Sequence, residues 1–235
     1  MLNQIMPPWV EITQGFLPPF WKNPHEKYDL IIIGNGHSIF SKTLSDDFLT
    51  FIESNPICIG IFGIQYKAML PQGKISRLFE SLDYWFARNI DDLDYIGDVN
   101  TKCIHLGDWL INAFPMCKWN VDKELFIEAD FIKKNIDLLQ VIRTIQQFKT
   151  VSSARLHPLL CSLTSAENVR FFEQKEMGDD IISGKFSSML KDIFGKSYKE
   201  NELFNVDREL VYKYKEHTYQ SAENMKNIIR KICHQ

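Results

Sequence analysis

The sequence predicts an α/β protein made of two successive units, each with a parallel β-sheet and flanking helices. Three observations indicate this fold class. Short apolar, β-branched runs end abruptly at glycine, as strands buried on both faces do. Segments with helical spacing alternate with these runs, which is the order of strand–helix–strand units. The alternation begins again after Cys117, so we divide the chain into residues 1–118 and 119–235.

The first unit is predicted to open with an irregular arm, residues 1–27, whose proline and aromatic residues pack over a surface. The elements that follow are a buried strand over Leu30–Ile33, a helix over LSDDFLTFIES (44–54), a second buried strand over PICIGIFGIQY (56–66), a helix and strand over ISRLFESLDYWFAR (75–88), a short helix over DDLDYIGD (91–98) and a strand over NTKCIHLGDWL (100–110).

The second unit repeats this order. Its predicted strands are LFIEAD (125–130), TVSSA (150–154) and NVRFFEQ (168–174). Its predicted helices are 131–148, RLHPLLCSLTSA (155–166), SSMLKDIFGK (187–196) and a long final helix over 207–232.

Composition excludes several functional classes. Hydrophobic residues make up 45% of the chain, which predicts a folded protein. The net charge of −3 provides no basic field, so we expect no nucleic-acid partner. Five scattered cysteines indicate reduced thiols and a cytoplasmic location. The chain shows no export signal and no apolar run of spanning length, so we expect any membrane contact to be peripheral, at the inner face.

We expect neither a metal nor a bound cofactor. The histidines and cysteines lack the spacings of metal ligands. The DDLD segment is better explained as the solvated start of a helix than as a cation site.

Candidate site residues in the first unit follow the predicted strands. Gly34, Asn35, Gly36 and His37 form a loop whose backbone N–H groups can approach an anion, although a tight turn without ligand explains the glycines equally well. Lys67 is a candidate for a phosphate or carboxylate, the alternative being a solvated lysine.

Two further candidates are charged residues that follow later strands of the first unit. Arg88 is a candidate anion ligand, and a surface ion pair with the acids after it is the alternative. Asp108 is a candidate catalytic base, and a helix N-cap is the alternative.

The strongest candidates lie in VSSARLHPLLCSL (151–163), where a predicted strand meets a predicted helix. Pro158 falls in the first helical turn, where its missing N–H costs nothing. Arg155 offers a bidentate fork for a carboxylate or phosphate, and His157 titrates near neutral pH. Ser153 precedes them. The alternative is that His157 packs or caps and that Arg155 pairs with a neighbouring acid.

The ordered series DLIIIGNGHSIF, CIGIFGIQY, LDYWFARNIDDLDYIG, HLGDWL and SSARLHPLLCSL, over about residues 28–175, resembles the polysaccharide pyruvyl transferase family. The resemblance implies two Rossmann-like units facing a cleft in a GT-B-like, sialyltransferase-like arrangement, with a shortened N-terminal unit. It also implies pyruvyl transfer from phosphoenolpyruvate to two hydroxyls of a sugar in cell-surface polysaccharide. Arg155, Arg88 and the Gly34–His37 loop would then bind the donor, and His157 would be the acid or base.

Two other functions stay open. Arg155 with the His-Pro pair also resembles the element that contacts the nucleotide phosphate in sialyltransferase-like folds, which favours a glycosyltransferase using a nucleotide-sugar, with Asp108 as acceptor base. A shortened relative could instead bind sugar or a partner protein without catalysis. A sheet edge exposed by the shortening would invite pairing with a second copy of the chain.

Overall fold

The computed structural model describes residues 6–23, 25–34, 36–96, 102–128, 137–175 and 181–234. The chain forms two compact units, one of residues 1–107 with 220–235 and one of residues 108–219. Each unit holds a four-stranded, mostly parallel sheet with flanking helices, which confirms the α/β class. The first unit therefore includes the end of the last helix as well as the first half of the chain.

The first sheet is fully parallel and runs in the order β1-β2-β3-β4, with strands Ile31–Gly34, Cys58–Phe62, Tyr84–Ala87 and Lys102–His105. Its connections contain helices α1 (Asp46–Glu53), α2 (Gln72–Glu80) and α3 (Ile90–Ile96), with short 3-10 helices at Ser41–Thr43 and Lys67–Met69. Right-handed crossovers between sequential strands place the connecting helices on one face of a sheet. One core accordingly joins α1 and α2 to Ile33, Cys58, Phe62 and Trp85.

Gly60 makes this core possible at the centre of β2. A Cβ atom there would lie 2.6 Å from Phe62 Cε1 and 3.1 Å from Trp85 Cδ1. The Trp85 indole N–H also donates to the Phe62 carbonyl oxygen over 3.1 Å. Any side chain at position 60 would therefore displace the rings of Phe62 and Trp85 from their positions over β2.

The opposite face of the first sheet is also buried, although its residues lie outside that core. Ile59, Ile61 and Phe86 are each at most 7% exposed. The end of the last helix, from residue 220 to Cys233, belongs to this unit and contributes further buried side chains, Met225 and Ile229. β2 is thus covered on both sides, as its continuous apolar sequence predicts.

The second sheet runs in the order β5-β6-β7-β8, with strands Val121–Ile127, Phe148–Ser153, Asn168–Phe171 and Phe204–Asn205, of which the last is antiparallel. The helices of this part are α4 (Leu138–Gln146), α5 (Leu156–Ser162), α6 (Lys185–Phe194) and α7 (Arg208–Cys233), and Trp109–Ala113 forms a 3-10 helix. One core contains buried residues of α4, α5, α6 and the sheet, with Phe171 and Phe186 stacked 5.9 Å apart.

The order of strands bears on where a ligand can bind. Open α/β sheets bind ligands where the strand order reverses. Neither sheet reverses its order among the strands that the structure describes. Candidate residues are therefore sought at the carboxyl edge of each sheet taken by itself. Over the described part of the chain, every helix is too short or too polar to cross a membrane.

Candidate functional site

The first group of candidate residues lies at the carboxyl edge of the first sheet, in the loops that follow β1, β2 and β3. Gly36 and His37 come after β1, Lys67 follows β2, and Arg88 follows β3. Parallel strands end at the same edge, and this brings the four predicted residues into one neighbourhood. Gly34 is the last residue of β1. Asn35, also predicted, lies outside the described residues.

Gly63 is the centre of this neighbourhood. A Cβ atom at Gly63 would lie 2.9 Å from His37 Cδ2 and 3.1 Å from Arg88 Cβ, so the two side chains close over the glycine. Its N–H donates to the Gly36 carbonyl over 2.7 Å, which joins the first loop to the second. Gly36 has φ of +83° and a Cβ site 3.1 Å from an Arg88 guanidinium nitrogen. Both glycines let the cation approach the backbone.

His37 is linked to a buried carboxylate through one amide. Asn89 is fully buried, and its Nδ2 lies 3.0 Å from His37 Nε2 and donates to Asp92 Oδ2 over 3.1 Å. Because the amide nitrogen only donates, His37 Nε2 is the acceptor and the neutral imidazole carries its proton on Nδ1.

Lys67 forms an ion pair with the same carboxylate. Its Nζ lies 2.8 Å from Asp92 Oδ1. Asp92 is 0% exposed, and its Oδ2 accepts the Ile64 N–H over 3.3 Å. Burial raises the pKa of Asp92, and the Lys67 ammonium partly offsets this effect. The explanation of DDLD as a solvated helix start is wrong for Asp92. Whether Lys67 also binds a donor stays a prediction.

Arg88 is 9% exposed, so its side chain is buried, and its role as an anion ligand stays a prediction. A guanidinium held at the carboxyl edge of a parallel sheet suits a bidentate anion such as a carboxylate or phosphate. Sequence reasoning missed Asn89 and Asp92 beside it. The signal for them was an asparagine just before an acidic helical turn, since side chains three apart on one turn meet.

The second group lies in the second unit, where β6 meets α5. Arg155 is the N-cap residue of α5, with an extended backbone. The Ser153 hydroxyl accepts the Arg155 N–H over 3.0 Å and donates to the Arg155 carbonyl over 2.8 Å. Pro158 is buried in the first turn, as predicted, whereas His157 in that same turn is exposed. Ser153 therefore fixes the turn that presents Arg155 and His157 together.

Asp108 lies at a different place in the second unit. It is 2% exposed and occupies the N-cap position of the 3-10 helix, as the alternative predicts, although its side chain makes no capping hydrogen bond there. Its N–H donates to the Tyr214 hydroxyl over 2.6 Å. Burial and the nearby carboxylates of Asp192 and Asp108 hold the pKa of Tyr214 well above its usual range.

Lys215, next to Tyr214 on α7, fixes the same 3-10 helix. Its ammonium donates to the carbonyl oxygens of Ile111 and Phe114 over 2.7 and 2.6 Å. Burial lowers the pKa of Lys215. Sequence reasoning found neither residue of α7, because both contacts join positions about a hundred residues apart.

Over the described residues, we find no group of three or more His, Cys, Asp or Glu side chains arranged to hold a metal ion. Comparisons with models of protein families, with curated proteins and with solved structures find no match to this chain.

Proposed function

We propose that the protein is a transferase that moves the enolpyruvyl-derived group of phosphoenolpyruvate to two hydroxyls of a sugar, in a cell-surface polysaccharide or its precursor. One observation carries the proposal. Each sheet presents an arginine and a histidine at its carboxyl edge, Arg88 with His37 in the first unit and Arg155 with His157 in the second.

These residue types suit the donor. Phosphoenolpyruvate carries a carboxylate and a phosphate, and each can accept a bidentate pair of hydrogen bonds from a guanidinium. In the reaction one sugar hydroxyl adds to C2 while the methylene carbon gains a proton. A second hydroxyl then displaces phosphate, and its proton leaves with the phosphate. Both steps need an acid and a base near neutral pH, which histidine supplies.

We assign the donor to Arg155 and the proton transfer to His157, which solvent reaches. Arg88 and the loop of Gly34, Asn35, Gly36 and His37 are the proposed anion ligands of the first unit. Asp108 would act as a base toward the acceptor. This proposal takes the two parallel-sheet units as the Rossmann-like pair of a cytoplasmic GT-B-like enzyme that needs no bound cofactor.

Calorimetric titration with phosphoenolpyruvate tests the proposal, with CMP and UDP as parallel ligands. We expect saturable phosphoenolpyruvate binding by the wild type that Arg155→Ala abolishes. Arg143→Ala, which alters an exposed arginine on α4, is the matched control and should bind normally. Binding of a nucleotide alone would instead indicate a glycosyltransferase, and no binding of any of the three would favour a non-catalytic sugar-binding protein.

His157→Gln separates catalysis from donor binding. Because the imidazole is exposed, we expect the free energy of unfolding to change by less than about 0.5 kcal/mol. Loss of an acid–base group should slow transfer about 10²- to 10⁴-fold. The measurement is phosphate release from phosphoenolpyruvate in the presence of a mixed polysaccharide acceptor, and an unchanged rate would remove His157 from the mechanism.

A further inference from the structure

The N-terminal arm, residues 6–23, is fixed to the first unit at its second half. Leu17 and Trp21 pack against the core of that unit, and the Trp21 ring lies 5.6 Å from the ring of Phe48. Phe16 and Phe20 precede these two residues and are 76% and 78% exposed. The Phe20 N–H donates to the Leu17 carbonyl over 3.2 Å, which closes the turn. The anchored turn thus holds two aromatic rings in solvent.

The first half of the arm lies against the end of α7. Trp9 is 63% exposed, and its ring meets that of His234 at 5.7 Å, edge to face. Met6 Sδ lies 3.6 Å from Cys233 Sγ. The last turn of α7 carries Arg230 and Lys231, and both side chains are exposed.

Exposed rings alone would suit a protein or a lipid surface, and the basic turn distinguishes between these partners. Trp and Phe partition into the headgroup region of a bilayer, where a flat ring is partly wet and partly apolar. Lysine and arginine close to anionic headgroups add attraction that neutral lipid does not give. On the same helix, Glu223 forms an ion pair with Lys226 at 2.5 Å.

We propose that Trp9, Phe16 and Phe20, together with Arg230 and Lys231, form a docking surface for an anionic lipid bilayer. The aromatic rings enter the headgroup region and the two cations contact the lipid phosphates. The surface would hold the protein at the membrane without any spanning segment. This inference does not rest on the proposed transferase activity, because its test measures only binding to vesicles.

The test is co-sedimentation of the full chain with vesicles of mixed phosphatidylglycerol and phosphatidylcholine, compared with pure phosphatidylcholine. We expect the wild type to bind the anionic vesicles preferentially. The double variant Phe16→Ser, Phe20→Ser should lose about tenfold or more of this affinity, because two apolar rings no longer leave water. Arg230→Gln with Lys231→Gln should lose about fivefold for each charge removed, and only with anionic vesicles.

Matched controls are Leu203→Ser and Phe126→Ser, which remove apolar side chains that are 53% and 50% exposed in the second unit. Both should bind like the wild type. All variants are checked for an unchanged thermal midpoint. Equal binding by the Phe16→Ser, Phe20→Ser variant and the wild type would overturn the proposal. So would self-association of the wild type without lipid that this variant abolishes, since the surface would then be covered by a second copy.

Discussion

The positions of His37 and Arg88 at the carboxyl edge of the first sheet depend on a glycine, Gly63. Gly63 is enclosed by His37 and Arg88, and its N–H fixes the preceding loop through Gly36. A methyl group there must displace the His37 imidazole or the Cβ atom of Arg88, since both lie closer than ordinary van der Waals contact allows. The separation of His37 and Arg88 is therefore set by the backbone of residue 63.

Gly63→Ala should lower the free energy of unfolding by about 1–3 kcal/mol, because the added methyl overpacks this point. Urea unfolding measures the change. Gly73→Ala is the matched control, since Gly73 lies inside α2 and a Cβ atom there meets nothing within 4 Å. Alanine should stabilise that helix by about 0.5–1 kcal/mol. Equal effects of the two substitutions would show that Gly63 is not crowded.

Asp92 makes stability depend on pH in a direction that can be derived. Its folded-state pKa is raised above the ordinary value of 3.8, so the folded protein binds this proton more tightly than the unfolded chain does. Stability from this group is present below pH 3.8 and is lost as pH rises through the folded pKa.

We therefore expect the wild type to lose stability relative to Asp92→Asn as pH rises from about 3.8, and the difference to become constant once Asp92 is ionised. Unfolding in urea across pH measures the difference. Lys67→Met should widen the pH range over which this stability difference changes, because the cation that lowers the pKa of Asp92 is gone. A difference that grows in favour of the wild type with rising pH would contradict the assignment.

Part of the candidate site could be predicted from the sequence, for a simple physical reason. Residues that follow parallel strands meet at one edge, so His37, Lys67 and Arg88 were predictable from strand ends alone. Asn89 and Asp92 were not, because the acidic pattern of their helix is also that of a solvated turn. In the folded chain Asp92 is 0% exposed and contacts Lys67 and the Ile64 N–H, which lie about 25 residues away in the sequence.

At the scale of elements, the side chain of Ser153 stabilises the turn between β6 and α5. Ser153 is 0% exposed, and its hydroxyl satisfies both the N–H and the carbonyl of Arg155. Without this hydroxyl the Arg155 N–H would lose the hydrogen bond that Ser153 accepts. The orientation of Arg155 at the helix start therefore depends on Ser153.

Ser153→Ala should destabilise the protein by about 1–3 kcal/mol, the cost of an unsatisfied buried donor. Thermal unfolding gives the measurement. The control Ser54→Ala removes an exposed hydroxyl that also donates to a backbone carbonyl, Phe51 O, and should cost less than about 0.5 kcal/mol. A loss at Ser153 no larger than at Ser54 would mean that water replaces the hydroxyl.

The length of an element decides how well the sequence predicts it. The buried strands β1 and β2 and the long helix α7 match their patterns because each pattern extends over a whole element. β8 has two residues, too few for any alternation to be visible, and its pairing with β7 comes from tertiary contact. The helix predicted over 131–148 is observed as Leu138–Gln146, and residues 131–136 of that prediction lie outside the described residues.

For the whole molecule, the feature that matters is that α7 belongs to both units. Its residues up to 219 are part of the second unit, and those from 220 are part of the first. Val211 is fully buried in the core of the second unit, and Met225 is fully buried in the part assigned to the first. α7 therefore contributes buried side chains to both units.

Gln220→Pro should separate the unfolding of the two units. Gln220 is exposed, so the substitution changes no packing, but proline interrupts the helix at a cost of about 3 kcal/mol or more. Calorimetry should show one transition for the wild type and for the control Gln220→Ala, and two for the proline variant. A single transition in the proline variant would mean that cooperativity does not pass through α7.

The division of α7 also sets the order in which the protein can be completed during translation. Domains usually fold from the N-terminus as the nascent chain emerges. Here residues 1–107 are made before the second unit, yet residues 220–235 of their unit are made after it. The second unit, residues 108–219, is complete before the first. A chain that ends at residue 219 should therefore lose its first unit to trypsin faster than its second, and the unit begun earliest by the ribosome is the one finished latest.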